Sequence, residues 1–215
     1  MISAQEALQR LRDGNRRFVA GIQRDEPSLG QTRRFELTKG QKPFAIVLGC
    51  SDARVPVEIV FDQGLGDLFV IRVAGNIVAP SQVGSVEFAA SRFGTRLVVV
   101  LGHLDCGAVA ATIEELQQRG ETPSRNLRSI VDRVRPAVEV LLETDLRHDL
   151  QALARRAVRA NVNASVSHLR HGSEILEQLG QDEGLVVVGA EYSPEDGTVE
   201  FFDDVAAVEA SAHSH

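Results

Sequence analysis

Residues 44–56 read FAIVLGCSDARVP, an apolar run closed by glycine and then a cysteine, an aspartate and an arginine at alternate positions 50, 52 and 54. A run this short and this apolar fits a strand buried on both faces, as in a parallel sheet; a half-solvated strand would alternate. Polar residues placed directly after such a strand stand at its carboxyl end. Open parallel sheets bind their ligands there.

The same signature recurs outward from this stretch. LFVIR at 68–72, RLVVVLG at 96–102 and LVVVGA at 185–190 read as further buried strands. Helices are expected near 56–62, 82–93, 107–118 and over most of 125–178. Ser3 and Glu6 form a capping-box pattern ahead of Ala4, Leu8, Leu11 and Phe18 at roughly helical spacing. This helix has no obvious partner within a sheet domain, so an N-terminal arm of about residues 1–40 is expected to pack on a neighbouring subunit. Its second half, from Ile22 to Gly40, is polar and rich in turn formers and reads as a connection. SPEDG at 193–197 reads as a turn, TVEFFDD at 198–204 as an edge strand and SAHSH at 211–215 as a frayed tail. No repeat or linker divides the chain. The expectation is one α/β domain over 1–215, with a mainly parallel central sheet flanked by helices.

Composition narrows the setting. With 215 residues, 43% of them hydrophobic, the chain can enclose a sizeable core, and the absence of tryptophan leaves aliphatic side chains to build it. The net charge of −7, without a lysine or arginine block, disfavours nucleic acid. No apolar run approaches the roughly 18 residues of a membrane span, and charge interrupts the opening residues where a signal peptide would be apolar. Two cysteines cannot build a disulfide framework, and reduced thiols suit the cytoplasm.

Those two cysteines carry the chemistry. Cys50 follows the first strand, while His103 follows the third and precedes Cys106 within GHLDC. If the two strands are neighbours, Cys50, Asp52, His103 and Cys106 converge on one crevice. Two thiolates and an imidazole are ligands that zinc takes in tetrahedral sites, leaving a fourth position for water or for Asp52. Each residue also has a plainer reading. A free cysteine is commonly a small buried hydrophobe, a lone histidine a hydrogen-bonded structural residue, and Asp52 with Arg54 a surface ion pair. That both cysteines fall at strand ends beside other ligands favours metal. Gly64 and Gly66 in QGLGDLF do not make a dinucleotide loop, because the third glycine is missing and they precede a strand. His148, His168, His171, His213 and His215 show no ligand spacing.

The segments CSDARVP, GDLFVIRVAGN and GHLDCGAV, in this order and spacing, resemble the signature segments of the β-class carbonic anhydrases, and weaker similarity continues through VVVGAEYSPEDGTVEFFD. The resemblance implies a zinc lyase that interconverts carbon dioxide and bicarbonate, built as a dimer or dimer of dimers. Cys50, His103 and Cys106 correspond to the zinc ligands, and Asp52 and Arg54 to the dyad that orients the zinc water. Asp52 is also a fourth ligand in a closed state. Gln41, Phe69 and Phe88 correspond to substrate-pocket residues, with Phe88 standing where a tyrosine is usual. Val47 replaces the tryptophan of a bicarbonate-regulated subset, although Arg72 and Tyr192 match its arginine and tyrosine positions. Arg72 also reads more simply, as a strand cap paired with a carboxylate. Two further readings use the same residues: a non-enzymatic zinc-stabilised domain, and an enzyme acting on carbon disulfide or carbonyl sulfide.

Overall fold

The four apolar runs become β1 (Ala45–Gly49), β2 (Leu68–Arg72), β3 (Leu97–His103) and β4 (Val186–Tyr192) in the computed structural model. They pair in parallel in the order β2-β1-β3-β4, and β5 (Val199–Phe201) adds antiparallel to β4 at the edge. The structure describes residues 2–22, 31–118, 124–203 and 205. Residues 23–30 of the expected connection and the tail with His213 and His215 lie outside the described residues.

Eight helices among the described residues surround the sheet: α1 (Ala4–Val19), α2 (Gln31–Leu37), α3 (Val57–Val60), α4 (Pro80–Phe93), α5 (Gly107–Gln118), α6 (Arg125–Leu142), α7 (Leu150–His171) and α8 (Glu174–Glu183). Strand alternation decides which helices meet which face. Val47, Val99, Leu101, Val186, Val188 and Ala190 point to the side covered by α1 and α3. Ile46, Leu48, Val98, Val100 and Val187 point to the side covered by α4, α7 and α8. A third apolar cluster sits at the carboxyl ends of the strands, where α5, α6 and α7 enclose Cys50 and Cys106.

Two expectations change and one gains detail. The segment 22–40 contains a helix, α2, and is not connection alone. Most of 125–178 is helical, as expected, and Asp149 and Ser173 cap successive helices within it with their side chains. The opening helix does find a partner in its own chain. Ser3 caps it through the Glu6 N–H as expected, but Leu8 and Leu11 are fully buried against the chain's own sheet. Asn15 stitches it down, donating to the carbonyls of Val60 and Gly197 and accepting the Val199 N–H. The apolar stripe that left this helix without an obvious partner is buried within the fold.

Candidate metal centre

β1 and β3 are neighbours in parallel register, with Gly49 opposite Leu101, so their carboxyl ends lie side by side. Cys50 leaves the end of β1. His103 is the last residue of β3, one position earlier in the element than its sequence context suggested. The chain then turns sharply at Asp105, whose φ is 56°, and returns Cys106 to the site at the start of α5. The Leu104 N–H donates to the Tyr192 carbonyl and ties this turn to β4.

The sulfurs of Cys50 and Cys106 and a ring nitrogen of His103 all lie within 4.8 Å of one another. Among the described residues this is the one histidine, cysteine and carboxylate group placed to hold a metal ion. All three side chains are buried. His103 Nδ1 lies 2.8 Å from the Leu104 carbonyl, so it carries the proton and leaves the Nε2 lone pair inward. Nε2 is buried and has no hydrogen-bond partner among the described residues. A buried lone pair facing two sulfurs is a set of donors that a cation would satisfy. The thiols point the same way. The hydrogen bond from Cys106, against burial, brings the Cys50 thiol down to about 4, helped by the N–H groups of Asp52 and Gly75. Cys106 is pushed up by its hydrogen bond to Cys50 and by burial. The pair shares a proton that a dication can replace. The donor set fits zinc.

Asp52 stands at the mouth. Arg54 grips it in a fork, Nε to Oδ1 at 3.0 Å and Nη2 to Oδ2 at 2.8 Å, and the Arg54 N–H adds a bond to Oδ1 at 2.9 Å. These bonds hold the Asp52 carboxyl well below the usual carboxylate range. Its Oδ2 faces His103 Nε2 at 3.8 Å, beyond hydrogen-bond reach. Arg54 is itself anchored on the Asp105 carbonyl, so the dyad spans both loops of the site. Arg72 behaves differently from its simpler reading. It donates to the carbonyls of Cys50 and Asp52, at 3.1 and 2.6 Å, and so fastens the loop between Cys50 and the dyad; among the described residues no carboxylate pairs with it.

The expected pocket residues gather elsewhere. Phe69 and Phe88 meet with ring centroids 6.3 Å apart, and both touch Phe93. Phe93 also lines a cavity of about 760 Å³ with Gln41, Arg92 and Lys42. Phe69 pairs with Ile46, four residues before Cys50, which is about 13 Å along the strand. Gln41 precedes β1 altogether and is exposed. Within one chain these three do not join Cys50, His103 and Cys106, because they belong to the opposite end of the sheet. Val47 is fully buried in the core under α1, and Tyr192 is buried at the end of β4 beside His103. His148, His168 and His171 are exposed and outside the ligand cluster.

Fold and site together define a parallel-sheet α/β protein with a buried Cys-His-Cys centre at its strand ends. The carbonic anhydrase family profile matches residues 45–199. The chain is 43% identical over 194 residues to the carbonic anhydrase of Mycolicibacterium smegmatis, covering 90% of this chain and 91% of that one. It is 37% identical over 202 residues to carbonic anhydrase 2 of Mycobacterium tuberculosis, covering 94% of each. Its fold is similar to that of the β-carbonic anhydrase CafA of Aspergillus fumigatus, with a TM-score of 0.73 at 25% identity over 92% of this chain and 94% of that one. It is also similar to one of two tetrameric β-carbonic anhydrases from Sordaria macrospora, with a TM-score of 0.70 at 22% identity over 82% and 88%. The chain belongs to the carbonic anhydrase family, in its β class.

Proposed function

We propose that the protein is a zinc enzyme that reversibly hydrates carbon dioxide to bicarbonate and a proton. The observation that carries this is the orphaned His103 Nε2, buried between two thiols and facing a carboxylate that Arg54 holds ionised. Cys50, His103 and Cys106 would hold the ion, and zinc, when bound, supplies the Lewis acidity that makes water a nucleophile at neutral pH. Asp52 is an acceptor only, so it orients a water proton away from the attacking lone pair. Arg54 keeps that acceptor charged and aimed, since its fork occupies both carboxylate oxygens. In this arrangement Asp52 is engaged by Arg54, and an ion held by Cys50, His103 and Cys106 would stay open to water. Ligands that work as thiolates suit a reducing compartment, and we place the protein in the cytoplasm.

Gln41, Phe69 and Phe88 retain the substrate role only if a second copy presents them. β2 is an open edge strand, and Phe88 beside it is 55% exposed. A homodimer across that edge would cover the aromatic cluster and bring Gln41 towards the partner's centre.

Metal analysis and stopped-flow hydration test the reading together. About one zinc per chain and carbon dioxide hydration are expected, and Cys106→Ala should lose both. Zinc at full occupancy in that variant would remove the ligand assignment. Stoichiometric zinc without hydration in the parent would leave a zinc-stabilised, non-enzymatic domain.

A further inference from the structure

α7 presents eight buried residues, Leu153, Ala157, Val158, Asn161, Val162, Ser165, Val166 and Leu169, and two of the eight are polar. Asn161 and Ser165 lie one helical turn apart and are 2% and 5% exposed. Polar groups so placed need partners. Both find them on a single turn: Asn161 Nδ2 donates to the Gly75 carbonyl at 2.8 Å, and Ser165 Oγ donates to the Asn76 carbonyl at 3.1 Å.

That turn, Ala74–Asn76, contains two successive left-handed residues, Gly75 at φ 70° and Asn76 at φ 43°. A buried asparagine at positive φ persists only where its surroundings over-determine it. The turn is also joined to the metal centre. The Gly75 N–H donates to Cys50 Sγ at 3.3 Å. A continuous path thus runs from two side chains on α7, through the peptides around Gly75, to a ligand sulfur.

We propose that Asn161 and Ser165 are positioning residues of the metal centre, holding the Ala74–Asn76 turn so that the Gly75 N–H stays aimed at the Cys50 sulfur. This rests on the zinc reading above. An N–H that points at a thiolate withdraws charge from it and fixes its direction. Outer-shell partners of this kind change metal affinity by about 10–100-fold.

The test uses the full chain, with zinc affinity measured by competition against a chromophoric chelator and the sulfur-to-metal charge-transfer band recorded with cobalt(II). Asn161→Ala should weaken zinc binding by about 10–100-fold and shift the band. Ser165→Ala should move both in the same direction by less, and it decides the matter alone if the first variant does not fold. Val162→Ala is the control: fully buried in the same stripe, it should lower stability and leave band and affinity unchanged. The proposal is overturned if the serine and asparagine variants keep the parent's affinity and spectrum, or if Val162→Ala moves them equally. A parent chain that takes up neither zinc nor cobalt would instead overturn the zinc reading itself.

Discussion

Asp52 is placed between two demands, the Arg54 fork and the His103 nitrogen 3.8 Å away. Removing the fork frees the carboxylate without touching a ligand. Arg54→Ala should therefore lose most of the hydration rate while zinc stays bound, and Asp52→Asn should do the same because an amide accepts less strongly than a carboxylate. Near-parent turnover in Arg54→Ala would reduce the dyad to an ion pair. A second carboxylate has the opposite environment. Glu191 on β4 is raised in pKa chiefly by burial, partly relieved by Arg159 and Arg155 and reinforced by the like charge of Glu200, and its Oε2 has no hydrogen-bond partner among the described residues. A raised carboxyl takes up its proton in the folded state before the unfolded chain does. Stability therefore falls as pH rises through the window between the ordinary value and the raised one, and the loss is complete above it. Glu191→Gln removes that loss. Its melting midpoint should exceed the parent's at pH 8, with the advantage shrinking as the pH falls towards 5. An advantage independent of pH would show that charge is not the cause.

At the scale of the element, α1 is held by close approach as much as by its leucines. A Cβ added at Gly14 would fall 1.8 Å from the Phe61 carbonyl oxygen, so the helix would have to lift from α3. Helix propensity alone favours alanine over glycine by about 1 kcal/mol. Overpacking commonly costs about 1–3 kcal/mol and should prevail here. Gly14→Ala is expected to lower the denaturant midpoint, and a raised midpoint would mean that α1 is not docked as described. The metal ligands depend on elements in another way. Cys50 and Cys106 are brought together because β1 and β3 are adjacent, with a single left-handed residue, Asp105, turning the chain between His103 and Cys106.

Across the whole molecule, the ligand centre and the aromatic cluster occupy separate places on one chain. If both serve one reaction, a second copy must supply one of them. Two variants then give a direct measurement: Cys106→Ala, without its metal centre, and a Gln41→Ala/Phe69→Ala double variant, without its pocket. Mixed and reassembled, they should recover roughly a quarter of parental turnover, since half of two-fold dimers are mixed and each carries one intact site. Activity no greater than the sum of the separate variants would sink the shared pocket, as would a monomer in sedimentation at micromolar concentration.

Most of the sheet was legible in the sequence because buried parallel strands are short, apolar and bounded by turn residues, a pattern that needs no knowledge of distant contacts. The meeting of Cys50, His103 and Cys106 was legible because all three stand at or just beyond the carboxyl ends of strands that a parallel sheet can place side by side. The role of Asn161 was not, since a polar residue within a long helix reads as solvent-facing until the helix is seen to bury it. The simpler of the two sequence readings of Arg72 pairs it with a carboxylate, and only the loop's path brings two carbonyls to it. The same holds for α1, whose amphipathic stripe records that one face is buried without recording against what. Periodicity and turn chemistry are local and can be read along the chain. Which faces meet, and which end of the sheet a side chain occupies, is set by packing among residues far apart in sequence, and only the tertiary structure decided it.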